Sequence, residues 1–177
     1  MANSFTYQVI KDTTEHAVIK LTGSFDGASG QESNVSRIAA NSLYGALNAN
    51  GTPDLLSNGG SALSYYGLAL NRLWYDCSAG GDVTLNWTCG SDTANQRTLM
   101  ALNGNGEFDG MGNWTTIPNN AYPNSNCKGD IGVTTRGMAA NDSYTMVIEL
   151  RKNNAHYQRG QFNDPAAFNY GTYGLKP

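Results

Sequence analysis

The sequence predicts an all-β fold: a single β-sandwich domain, jelly-roll-like, over residues 1–152, followed by an extended C-terminal arm over residues 153–177. Three observations carry that expectation. Apolar and polar residues alternate at period two, not at helical spacing. The alternating runs are short and are separated by Gly- and Asn-rich turn segments. From Asn153 onward the alternation stops, yet aromatic residues continue.

Taken in order, Phe5, Tyr7 and Val9 share one face of a first strand. Ala17, Ile19 and Leu21 share a face of a second, which ends at Thr22-Gly23. Residues 35–47 break the pattern, because Asn41 and Ser42 interrupt the apolar Ile38 and Leu43; this is one short helix or an irregular strand. Leu73, Tyr75 and Cys77 then alternate with Trp74 and Asp76, and Val83, Leu85 and Trp87 with Thr84, Asn86 and Thr88. Between these two runs, Ala79-Gly80-Gly81-Asp82 reads as the turn of a hairpin. Further strands are expected near residues 98–102, 114–117 and 131–135. The cleanest strand is the last, with Tyr144, Met146, Ile148 and Leu150 on one face. Asn50-Gly51, Asn58-Gly59, Asn103-Gly104 and Asn105-Gly106 supply positive φ at little steric cost. Ala139-Ala140-Asn141-Asp142 reads as the turn joining the last two strands, and no internal repeat or linker is visible.

The chain of 177 residues fits one domain with a core of its own. Charged residues are 14% of it, against roughly a quarter in an average soluble domain. Gly, Asn, Ser and Thr fill the gap. A surface of that kind repels neighbours weakly and suits close contact with another protein; long Gly/Asn loops are the plainer reading. The net charge is −3 with no Lys/Arg cluster, which argues against direct nucleic-acid binding. No apolar run approaches a membrane span. Met-Ala-Asn-Ser-Phe-Thr-Tyr at the start lacks the pattern of a signal peptide. Without secretion, the glycosylation patterns at Asn34, Asn86, Asn113 and Asn141 read as chance matches. Cys77, Cys89 and Cys127 are an odd number. In the hairpin reading Cys77 and Cys89 are not opposite each other, so free thiols and a reducing cytoplasm are expected.

Catalytic chemistry finds little support. His16 and His156 are the two histidines, and neither sits in a nucleophile motif. There is no P-loop and no zinc-ligand spacing. Glu107 and Asp109 within Gly104–Gly110 resemble half a calcium loop, but a Gly-rich hairpin tip is the simpler reading. No enzyme activity, catalytic residue, metal or cofactor is therefore expected. Trp87 belongs with the core face, whereas Trp74 and Trp114 are candidates for exposed sugar-stacking rings. The arm carries Tyr157, Phe162, Phe168, Tyr170 and Tyr173, with Pro165 barring a central strand or a regular helix. These rings either dock on a neighbouring subunit or fold back on their own domain.

Short segments spread over nearly the whole chain carry a family resemblance. They include Asn3-Ser4-Phe5-Thr6-Tyr7-Gln8-Val9-Ile10, His16-Ala17-Val18-Ile19-Lys20-Leu21-Thr22-Gly23 and Arg72-Leu73-Trp74-Tyr75. Others are Gly104-Asn105-Gly106-Glu107-Phe108, Ala140-Asn141-Asp142-Ser143-Tyr144-Thr145, Ile148-Glu149-Leu150-Arg151-Lys152 and Asp164-Pro165-Ala166-Ala167-Phe168. In these the chain resembles a family of small virion structural proteins of tailed phages infecting cyanobacteria and other aquatic bacteria. None of the segments is a catalytic signature, and the tail beyond Phe168 is longer than the family pattern, which puts roles for Tyr170 and Tyr173 in doubt. The resemblance implies a head decoration (cement) protein, trimeric, bound to the major capsid protein on the head surface and assembled in the host cytoplasm. It implies no nucleic-acid or membrane contact. Phe5, Tyr7, Tyr157, Phe162, Pro165, Phe168, Tyr170 and Tyr173 are the expected contacts. A tail, neck or baseplate component, or a carbohydrate-binding module used for host attachment, are the alternative readings.

Overall fold

A computed structural model describes residues 3–27, 30–48, 63–78, 80–90, 92, 94–110, 116–121, 127–153 and 155–157. The strands are β1 (Ser4–Asp12), β2 (His16–Ser24), β3 (Val35–Ile38), β4 (Leu68–Cys77), β5 (Asp82–Trp87), β6 (Arg97–Leu102), β7 (Asn105–Phe108), β8 (Ile117–Pro118), β9 (Ile131–Arg136) and β10 (Ser143–Lys152). All pairings are antiparallel. One sheet runs β1-β2-β10-β4-β7, with β8 also on β4; the other runs β3-β9-β5-β6. The chain passes from β2 to β3, β3 to β4, β4 to β5, β6 to β7, β8 to β9 and β9 to β10 by changing sheets. Without β1 and β8, the two four-stranded layers β2-β10-β4-β7 and β3-β9-β5-β6 have the strand order of a jelly roll.

The core lies between the layers. Tyr144, Met146, Ile148 and Leu150 of β10 face it, as do Ala17, Ile19 and Leu21 of β2, and Val83, Leu85 and Trp87 of β5 meet them from the other sheet. Period-two alternation is what lets each strand bury one face only. Tyr144 also fixes Gly23: a Cβ at that glycine would lie 2.4 Å from the tyrosine ring. Its hydroxyl donates to Glu32 Oε2 at 2.8 Å, while Arg37 Nε donates to Glu32 Oε1 at 2.6 Å. That carboxylate in turn pushes the phenol's pKa up, after burial itself.

Several expectations need correction. Residues 79–82 do not close a hairpin, because β4 and β5 lie in opposite sheets and the turn crosses the sandwich. β4 pairs instead with β10 and β7. The crossing from β6 to β7 places Asn105–Phe108 in a strand on β4, not in a hairpin tip. Residues 35–47 resolve into β3 and a 3-10 turn over Ala40–Ser42. Of the strand expected at 114–117, only its end lies among the described residues, as β8.

The free-thiol expectation fails as well. Cys89 and Cys127 form a disulfide, and only Cys77 is free, buried on β4. Cys89 follows β5 and Cys127 precedes β9, and those strands are hydrogen-bonded neighbours with Trp87 opposite Ile131. Sheet pairing therefore brings together two cysteines that lie 38 residues apart. Disulfides persist in oxidising surroundings, so the cysteines give no argument for a reducing compartment. Among the described residues, no helix is long and apolar enough to cross a membrane.

Candidate functional site

Two features stand out on the surface: the outer edge of β1, and a polar cleft at one end of the larger sheet.

β1 is the fifth strand of a layer whose facing sheet has four, so its inward side chains reach past that sheet. Phe5 is still covered, edge-on to Phe25 with ring centroids 5.7 Å apart and beneath the Arg37 guanidinium at 4.1 Å. Tyr7 and Val9 follow on the same face, and both are 44% exposed. Ile10, at a bulge in the pairing with β2, is 54% exposed. Partial burial, and then the charge of Asp12, raise the Tyr7 phenol's pKa. No described strand pairs with the outer edge of β1.

A free edge is a template for another strand, and folded proteins blunt such edges with charge, proline, bulges or brevity. The other edges are blunted. β3 and β7 have four residues each, β7 carries Glu107, and β8 has two and ends at Pro118. β6 opens with Arg97. β1 has nine residues, and Ser4–Ile10 contains no charge, proline or glycine. Its bulge and Lys11 fall at the far end only.

The far end of β1 is tied down firmly. The Lys152 ammonium is fully buried and donates to Asp12 Oδ1, to Thr13 O at 2.6 Å and to Tyr44 O at 2.8 Å. Burial lowers its pKa, and Asp12 works against that shift. The other Asp12 carboxylate oxygen accepts from Tyr44 N at 2.8 Å.

Of the expected contact residues, the structure brings Phe5 and Tyr7 to this edge. Tyr157 is elsewhere: it is fully buried in its own domain, its hydroxyl donating to Ala40 O at 2.8 Å beside the Tyr66 ring. The first residues of the arm therefore fold back, with Leu47 N donating to His156 O. Phe162, Pro165, Phe168, Tyr170, Tyr173 and Trp114 lie outside the described residues. Trp74 is 38% exposed on the outer face of β4, between Val147 of β10 and Glu107 of β7.

The cleft is the feature the sequence did not reveal. It has a volume of about 880 Å³ and lies where β2 and β4 begin, β10 ends and β8 crosses. Glu15, Asn71, Arg72, Asp109, Asn119 and Arg151 are among its lining residues. Glu149, beside it, accepts from Asn71 Nδ2 at 3.0 Å and lies 3.3 Å from His16 Nδ1. His156 accepts from Gly67 N through Nδ1 at 3.2 Å, and burial lowers its pKa. The residues come from five separated stretches, and only the fold assembles them. Among the described residues no three His, Cys, Asp or Glu side chains gather as a metal site, and Glu107 and Asp109 stand exposed.

Comparison of the chain with protein-family models, characterised proteins and solved structures finds no match.

Proposed function

We propose that this protein is an assembly protein of a tailed-phage particle, a head decoration (cement) protein whose β1 edge joins the sheet of a neighbouring copy within a trimer that binds the major capsid protein. The jelly roll does not choose this role, since capsid and lectin domains share it. The observation that carries the reading is the unblunted nine-residue edge of β1 with Tyr7, Val9 and Ile10 uncovered. Strand addition at such an edge supplies main-chain hydrogen bonds, and the uncovered side chains supply apolar contact. The resemblance of the sequence to small phage virion proteins adds the particle, and a cement role follows from mass action: a protein that binds only the assembled lattice stabilises it.

The test is Val9→Lys, which places a charge on the edge without touching the core. Sedimentation equilibrium of the unaltered protein is expected to give a trimer, and the variant a monomer that melts at the same temperature. Heads loaded with the unaltered protein should rupture at a higher temperature than heads given the variant. A monomeric unaltered protein, or equal protection of heads by both forms, contradicts the proposal. Immunogold label on the tail or baseplate in place of the head would move the same edge contact to that part of the particle.

A further inference from the structure

We propose that the cleft formed by β2, β4, β8 and β10 is a binding site for a neutral saccharide, a role independent of the β1 edge. Its size falls within the range of small-molecule sites, roughly 300–1,000 Å³. Its lining is charged yet balanced: Arg72 and Arg151 stand with Glu15 and Asp109, and Lys152 is already held by Asp12. A phosphate or other anion would meet carboxylates there, and a lipid or apolar peptide would meet charges of both signs. Sugar hydroxyls donate and accept at once, and the amide of Asn71 in the lining does the same.

Asn119 lines the cleft with its side-chain amide anchored, Oδ1 accepting from Ala121 N at 2.9 Å, and its Nδ2 is buried away from the opening. An aromatic surface lies in line with the cleft. Trp74 follows Arg72 by two residues on β4, hence on the same outer face and about 7 Å farther along. Tyr65 forms part of the wall, its ring 5.3 Å from His156 and at 86° to it. A saccharide of two or three units, seated on the Asn71 amide and the guanidinium groups, would extend onto the Trp74 ring.

The test is an amide NMR titration of the full chain with maltotriose, cellotriose and N,N′,N″-triacetylchitotriose, and separately with inorganic phosphate. At least one trisaccharide is expected to shift amides of residues 68–74, 116–119 and 151–153, with phosphate leaving them in place. Trp74→Ala and Arg151→Ala alter exposed side chains, so they should keep the melting temperature while each weakens binding by about 10-fold, the equivalent of one good hydrogen bond or stacking contact. Val9→Lys should leave saccharide binding unchanged, which separates this site from the assembly edge. Absence of shifts with all three sugars at about 10 mM, where even a millimolar site is mostly filled, overturns the proposal. So do shifts produced equally by phosphate, or binding that survives both Trp74→Ala and Arg151→Ala.

Discussion

Replacing Lys152 by Met should destabilise this protein more than most single changes, because the ammonium serves three acceptors at once. The side chain is 0% exposed and its partner Asp12 is 15% exposed. Methionine matches the length of the stem, so the apolar packing is kept and only the charge is lost. The Thr13 and Tyr44 carbonyls lose their donor, and Asp12 keeps the Tyr44 N–H but no counter-charge. Breaking a buried pair by removing one partner costs roughly 3–5 kcal/mol. The remaining exposure of Asp12 and its surviving hydrogen bond place the expectation near the low end, about 3 kcal/mol. For a chain of this size each kcal/mol moves the midpoint by roughly 2–4 °C, so a fall of roughly 6–12 °C is expected. Thermal and urea unfolding followed by near-UV circular dichroism would measure it. The double variant Asp12→Asn/Lys152→Met should recover part of the loss, since no unpaired buried charge is left. A loss under about 1 kcal/mol, or a double variant whose cost is the sum of the two singles, would refute the reasoning.

The Cys89–Cys127 bond closes a loop over a separation of 38 residues, and the chain-entropy estimate for such a loop is about 4 kcal/mol. Reduction, or Cys89→Ser with Cys127→Ser, should lower the midpoint by roughly 8–16 °C, and thiol titration of the oxidised, denatured protein should find the Cys77 thiol alone; three titratable thiols would contradict the bridge. Burial lowers the His156 pKa in the folded state below the unfolded value near 6.5. The unfolded chain then takes up that proton first, so stability should fall as the pH drops through 6.5 toward the folded value. His156→Asn should show a shallower decline over that window, and an identical pH profile for both proteins would count against the buried acceptor role at Gly67 N. Gly23→Ala should unfold the protein or sharply reduce its expression, because the added methyl overlaps the Tyr144 ring; a normal melting curve would show that the ring can move aside.

The strands were legible in the sequence where one face is buried by a complete neighbour. Tyr144, Met146, Ile148 and Leu150 alternate cleanly because β10 lies in the middle of its sheet, between β2 and β4. The same rule put Phe5, Tyr7 and Val9 on one face, and the overhang of β1 leaves Tyr7 and Val9 uncovered. Alternation reports which way a side chain points, not whether anything stands opposite it. Partner strands were harder, because a Gly-Gly turn between two strands serves a hairpin and a sheet crossing equally well. The disulfide depended on that missing pairing. The buried Lys152 was hidden for another reason: at a strand end, a lysine reads as the point where the chain meets solvent. The cleft gives no local signal at all, since Glu15, Asn71, Asp109, Asn119 and Arg151 adjoin only after β2, β4, β8 and β10 are in place.

Hydrogen exchange over residues 4–12, compared between the unaltered protein and Val9→Lys, tests the assembly edge most directly. In the unaltered trimer the outward-pointing amides of β1 should be protected, in solution and on heads alike, and in the monomeric Val9→Lys they should exchange at rates close to those of an open chain. Open-chain exchange of those amides in both proteins would show that the edge takes no part in assembly.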